Sequence, residues 1–321
     1  MLLKLLPEKT SVGFMQYRWP AFVLSVILIV ASIAVLSVRG LNLGIDFAGG
    51  SVIETSAPED VSTEDIRGVV GALDLQDVNV TSAMGTGVDA EPVYVVKFKT
   101  SETGEAAETG QQAANDTVRS ALESAFPEIE IRSSAAVGPK VSGELFRAGI
   151  TALVSALTLM LLYIWFRFDK EYSVGAVAAL GHDVIITMGM FSLVQLEFNL
   201  TTIAALLTII GYSMNDTVVV FDRVREELRK YKKMPLGDVI DLALNGTLSR
   251  TLLTSGTTLL ALLAIFFLGG PVLRGMSFAL IFGVIIGTYS SVFVASSILR
   301  TLGVAREKRA PEDIPGFQGA P

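Results

Sequence analysis

The sequence predicts an α-helical polytopic membrane protein with six transmembrane helices, plus an α+β ferredoxin-like external domain between the first and second helices. Three observations predict it. Apolar runs of bilayer-crossing length, roughly 20 residues each, recur six times along the 321 residues. Charged residues make up only 18% of the chain, against about a quarter in soluble domains. Between the first two runs lies a long acidic insertion whose pattern alternates strand and helix.

The six runs are read at 19–38, 145–166, 173–194, 199–221, 251–268 and 276–298. Each is expected to be helical, because a backbone in hydrocarbon must satisfy its polar groups within its own segment. The first run follows Lys4, Lys9 and Arg18. It exceeds the 7–15 apolar residues of a cleaved signal, so it reads as a retained anchor. An even number of spans puts residues 1–18 and 299–321 on one side. Basic residues mark that side as cytoplasmic: Arg167 and Lys170 after the second span; Arg223, Arg225, Arg229, Lys230, Lys232 and Lys233 in the 222–250 loop; and Arg300, Arg306, Lys308 and Arg309 after the sixth.

The insertion, residues 39–144, is then periplasmic. Residues 39–147 carry 18 acidic and 8 basic side chains, a net of −10, so the acidity of the chain resides there. "SVIETS" at 51–56 reads as a strand. "STEDIRGVVGAL" reads as a helix capped by Ser62 or Thr63. "DVNVTSAM" and "PVYVVKFK" alternate in polarity as strands do, with the turn-prone "GTGVDAE" between them. The stretch 105–126 reads as a helix stopped by Pro127, and "IEIRSSAAV" as the last strand. The order β-α-β-β-α-β is that of a split βαβ sandwich.

Several classes of chemistry are excluded. There is no cysteine for thiolate chemistry and one histidine, too few for a histidine zinc site. "GTGVDAEP" lacks the Lys-Ser/Thr of a phosphate loop. No nucleophile–base arrangement stands out, so an enzyme is not expected, nor a cofactor beyond protons as coupling ion. The basic residues line the inner membrane face, where anionic lipid rather than nucleic acid is the simpler partner.

Ionisable residues inside spans are rare and commonly functional. Asp183 follows His182 in the third span, Asp216 follows Asn215 in the fourth, and Arg250 opens the fifth. Burial disfavours an ionised carboxylate in general and a nearby cation favours it, which is how an acid is poised to load and release a proton. Each has a plainer reading. Asp216 marks a helix end reaching the headgroups, Arg250 snorkels to the interface, and Asp183 hydrogen-bonds a neighbouring Ser or Thr. By depth alone Asp183 ranks above Asp216. "SGTT" at 255–258 and "GVIIGTYSS" at 283–291 supply small and hydroxylic residues for close helix packing.

Four stretches together resemble the SecF family, the smaller membrane subunits of the bacterial SecD–SecF pair, within the resistance-nodulation-division class. They are "LNLGIDFAGG" after the first span, "GHDVIIT" in the third, "IGYSMNDTVVVFDRVRE" at the end of the fourth, and the run from "LSRTLLTSGTTLL" to "GTYSSVFVAS" through the fifth and sixth. The resemblance implies an accessory subunit of the Sec translocase that uses the proton motive force with SecD in late steps of preprotein export. It implies residence in the bacterial inner membrane and partnership with SecD and the SecYEG translocon, with YajC and YidC as further candidates and unfolded preprotein as substrate. It assigns Asp216 to proton conduction with Arg250 beside it, ahead of Asp183, and counts Asn215 with them. Asp46, Gly49 and Gly50 fall in the motif that shapes the junction of the first span with the external domain. The alternatives are a proton-coupled small-molecule or lipid exporter of the same class, and a structural subunit that conducts no protons.

Overall fold

The computed structural model describes residues 10–58, 60–83, 92–100 and 106–304. The turn expected at Gly85–Glu91 and the basic residues Lys4, Lys9, Arg306, Lys308 and Arg309 lie outside the described residues. Six helical stretches are long and apolar enough to cross a membrane, one for each run read from the sequence.

Helix α1 (Arg18–Arg39) ends at Gly40, whose φ of +66° lets its N–H turn back to Leu36. A short strand β1 (Asn42–Leu43) and one turn of helix α2 (Ile45–Ala48) follow. Strand β2 (Gly50–Ser56), helix α3 (Thr63–Gly71), strands β3 (Leu75–Ala83) and β4 (Val93–Thr100), helix α4 (Ala106–Ala125) and strand β5 (Glu130–Val137) then form a compact α+β unit. Its sheet is antiparallel with the order β3-β4-β2-β5. Ser62 caps α3 and Asp65 returns the bond, the reciprocal box that the sequence suggests. Ile53, Val96 and Phe98 from the sheet, Ile66 and Val70 from α3, and Val118 and Leu122 from α4 make its core.

Long helices follow: α5 (Pro139–Arg167), α6 (Lys170–Val194), α7 (Leu200–Lys230), α8 (Leu236–Leu268) and α9 (Gly270–Tyr289). The last runs through a π-helical stretch, Ser290–Ala295, into α10 (Ser296–Leu302). A two-residue strand β6 (Glu197–Phe198) between α6 and α7 pairs parallel with β1. Over half of the apolar stretches of α6 and α7 is buried (56% each), against 11% for α1 and 17% for α5 and α8. α6 and α7 are therefore the centre of the bundle, and the outer helices turn apolar faces outward, as lipid-facing helices do.

The helices run beyond the apolar runs. Most of 222–250 is helical, with only residues 231–235 between α7 and α8. Arg223 pairs with Glu227 and Lys230 with Glu226, each at 2.7 Å and four residues apart, the spacing at which side chains meet along a helix. The front of α8 buries Val239, Ile240, Ala243 and Leu244 at helical spacing. There Asp241 accepts the Met15 N–H at 2.9 Å, and Asn245 holds both backbone groups of Val12.

The junction between sheet and bundle is built by the glycine-rich segment. Gly49 and Gly50 have φ of +69° and +127°, and a Cβ on Gly50 would stand 3.0 Å from the Phe98 carbonyl oxygen. Only glycine takes this path without strain. Asp46 accepts the Leu200 N–H at 2.9 Å, adding a carboxylate to the start of α7 that Asn199 already caps. Phe47 packs against Phe146 and Phe198, and Lys97 of β4 pairs with Glu197 of β6.

Candidate functional site

Asp216 sits midway along α7 and Asp183 midway along α6, each facing into the bundle. Asp216 accepts a hydrogen bond from Thr251 Oγ1 of α8 on one oxygen, at 2.8 Å, and from Ser291 Oγ of the π stretch on the other. Asp183 accepts from Ser213 Oγ of α7 at 2.6 Å and from Ser290 Oγ at 2.7 Å, both on Oδ2. Its Oδ1 lies 2.9 Å from His182 Nδ1. The two carboxylates therefore draw hydroxyls from α7, α8 and the π stretch, and consecutive serines of the π stretch serve one acid each.

Close approach makes this possible. A Cβ on Gly287 would lie 3.0 Å from that of Ser213, so the glycine lets α9 settle against α7 at the site. In the π stretch the Ser291 carbonyl accepts the Ser296 hydroxyl at 3.0 Å. Single π turns inside α-helices recur at functional sites. Around them Ser255 bonds Thr288 at 2.9 Å, and the Tyr212 hydroxyl reaches Ser255 at 3.3 Å.

The two acids differ in access. Asp183 is 1% exposed and Asp216 8%. Asp183 has a complete set of partners and is sealed. Asp216 is the acid that retains a way to the surface of the described chain.

Arg250 stands near Asp216 without pairing with it. It lies on the exposed face of α8 and forms no ion pair with Asp216 among the described residues, though it stands within electrostatic range of the carboxylate. Successive residues point about 100° apart on an α-helix. With Thr251 aimed at Asp216, its neighbour Arg250 must turn away. Asn215 likewise occupies the exposed face of α7, turned away from its neighbour Asp216. Asp46, Gly49 and Gly50 stand apart from the acids, at the junction described above.

The hydroxyl partners Ser213, Thr251, Ser290 and Ser291 were not assignable from sequence. The signal was present as hydroxylic residues within apolar runs, in "GYS", "SRT" and "TYSS". Which of them meet an acid depends on how four helices are rotated against one another, and a local pattern does not carry that.

Comparison with known proteins agrees with this architecture. The family model "Protein export membrane protein SecD/SecF, C-terminal" matches residues 117–305, and the "SecD/SecF GG Motif" matches 34–57. The protein translocase subunit SecF of Rhodobacter capsulatus is 45% identical over 97% of this chain and 95% of its own. That of Cereibacter sphaeroides is 47% identical over 95% and 93%. The crystal structure of SecDF, a translocon-associated membrane protein from Thermus thermophilus, superposes with a TM-score of 0.77 at 33% identity, covering 93% of this chain. A SecDF structure in a super-membrane-facing form gives 0.65 at the same identity over 94%. The chain spans 39% of each of those longer SecDF chains.

Fold, junction motif and paired buried acids thus define a multi-pass membrane protein of the protein-export class. The chain belongs to the SecD/SecF family, and its full-length relatives are SecF subunits.

Proposed function

We propose that the chain acts with SecD as an accessory part of the Sec translocase, using the proton motive force to drive late steps of preprotein export across the inner membrane. The observation that carries this reading is Asp216, a carboxylate in the middle of a membrane-spanning helix, held by hydroxyls and without an ion-pair partner among the described residues. An ionised carboxylate only accepts hydrogen bonds, whereas its protonated form must also donate one. Proton loading at Asp216 therefore obliges Thr251 or Ser291 to turn, and both sit on helices that pack against α7. Arg250 biases the acid through space, and Asp183 holds the helices around it. No cofactor takes part beyond the proton.

Each charge crossing 100 mV yields about 2.3 kcal/mol, and reversing a 99:1 preference takes roughly 5.5. About three protons are thus enough to swing a two-state domain. The moving part is the α+β unit, a ferredoxin-like periplasmic domain by its strand order, with both termini cytoplasmic. SecD supplies the other half of the pseudo-symmetric membrane core, apposed to the face where Asn215 and Arg250 are exposed. SecYEG receives the assembly, YajC and YidC are further partners, unfolded preprotein is the substrate, and anionic lipid meets the basic inner face.

A structural subunit without proton conduction is the competing reading, favoured by the lack of an Asp216–Arg250 ion pair. Photo-crosslinkers at Asn215 and preprotein export in cells carrying Asp216→Asn separate the two. The proposal expects SecD crosslinks from position 215 and an export defect in an assembled complex. Normal export with intact crosslinking leaves only the structural role.

A further inference from the structure

Three consecutive residues where α9 passes into the π stretch each touch a different member of the buried site. Tyr289 stacks on the His182 ring, with centroids 5.9 Å apart and planes at 29°. Ser290 donates to Asp183, and Ser291 donates to Asp216. The Tyr289 hydroxyl also donates to the Ala21 carbonyl of α1 at 2.8 Å and lies 3.0 Å from Ser25 Oγ. The π stretch begins at Ser290, immediately after that tyrosine. We infer that Tyr289–Ser291 is a mechanical coupling element, through which a change of hydrogen bonding at Asp216 is read by the His182–Asp183 pair.

No hydrogen bond joins the two acids among the described residues, so the coupling must pass through the residues between them. Among the described residues, Asp216 has no hydrogen bond to Asp183, His182 or Ser290. Two backbone routes join them: the peptide link between Ser290 and Ser291, and one turn of α7 from Asp216 back to Ser213, which also donates to Asp183. A π turn has one residue more per hydrogen-bonded loop than the α-helix around it, so it can give up its extra residue by a register change instead of unfolding. When Ser291 loses or reverses its bond to Asp216, the turn shifts, and Ser290 and Tyr289 shift with it. Ser213 is the contrast. It gives Asp183 an equally close hydroxyl from α7 but lies outside the π stretch.

His182 is suited to report the shift. It is 2% exposed, one ring nitrogen faces Asp183, and Nε2 has no hydrogen-bond partner among the described residues. The ionisable groups around it are Asp183 on its own helix, Tyr289 on α9 and, beyond the serines, Asp216 on α7 with Arg250 on α8. From α1, Ser25 and Ala21 meet the tyrosine and bring no charge. Ser290 and Tyr289 are positioning residues in this scheme, and neither takes up or releases a proton. The inference rests on Asp216 as the group that changes state, but its test fixes that state chemically and needs no proton flux.

The chain has one histidine, so nitrogen-15 histidine labels a single imidazole, provided the purification tag contains none. Imidazole nitrogen shifts are measured by solid-state NMR on the full chain, labelled separately and combined in lipid with unlabelled SecD. Asp216→Asn, which mimics the neutral acid, is expected to move the His182 resonances although the two side chains do not touch. In a Ser290→Ala background that movement is expected to fall by at least half, and Ser290→Thr is expected to restore it. In a Ser213→Ala background it is expected to persist in full. If Ser290→Ala does not fold, Ser290→Cys takes its place with the same expected loss. An unmoved resonance in Asp216→Asn, or equal loss in the Ser290 and Ser213 backgrounds, overturns the inference. Intact coupling in a chain that conducts no protons instead contradicts the proposed function and leaves the coupling standing.

Discussion

Removing the Asp183 carboxylate tests whether this acid works as a three-helix tether. It accepts two interhelical hydrogen bonds, from Ser213 and Ser290, and pairs with His182 on its own helix. Interhelical hydrogen bonds within membranes average about 0.6 kcal/mol and reach about 1.7, so two contribute roughly 1 to 3.5. Ser290 keeps its second acceptor, the Gly287 carbonyl at 3.1 Å, when the carboxylate is gone. Ser213 and the His182 nitrogen do not, and an orphaned buried donor costs about 1–3 kcal/mol. Asp183→Ala is therefore expected to lose about 2–4 kcal/mol. Ser213→Ala and Ser290→Ala should each lose about 0.6–1.7. Asp183→Asn should fall between, since serine hydroxyls can turn to accept from an amide. Reversible unfolding in mixed micelles, followed by near-ultraviolet dichroism, measures the series. An Asp183→Ala variant within about half a kcal/mol of the parent would refute the tether, as would a Ser213→Ala loss equal to it.

Three further outcomes are expected. Gly50→Ala should cost about 1–3 kcal/mol through its strained φ and its approach to Phe98, while Gly68→Ala on the open face of α3 should stabilise by up to about 1; thermal melts in detergent give the two signs. The Ser62 hydroxyl, then its N–H, hold the Asp65 carboxyl below its ordinary value. The cap's contribution is thus fully present above the unfolded value and lost as pH falls through the lower folded one, so the melting difference between parent and Asp65→Asn should vanish on acidification through that window. Lys97 and Glu197 join the sheet to the α6–α7 turn with about a third of each side chain exposed. A double-mutant cycle should give roughly 0.2–1 kcal/mol of coupling, and swapping the two charges should recover most of it.

The parts legible in the sequence were those set by local pattern. Hydropathy gave six spans because each must close its own hydrogen bonds. Alternation and the Ser62 cap gave the strand–helix order around β2 to β5, and the glycines at 49 and 50 announced an unusual backbone. Contacts between distant residues stayed hidden. Asp46 closing the start of α7 and the β1–β6 pair join positions more than 150 residues apart. The continuation of α7 and α8 through 222–250 was masked by charge, which read as loop although its 3–4 residue spacing favours helix. Asp183 read correctly as a candidate for hydroxyl partners on neighbouring helices. Arg250 stands near Asp216 without touching it, because one residue of helical rotation puts Thr251 at the acid and Arg250 on the exposed face.

Proton uptake into inverted membrane vesicles containing the chain with SecD tests the central claim most directly. Asp216→Asn keeps the size of the side chain and a hydrogen-bonding partner for both Thr251 and Ser291, but it cannot exchange a proton. The account predicts loss of the flux with assembly and vesicle tightness unchanged. Flux at the parental level in that variant would contradict it.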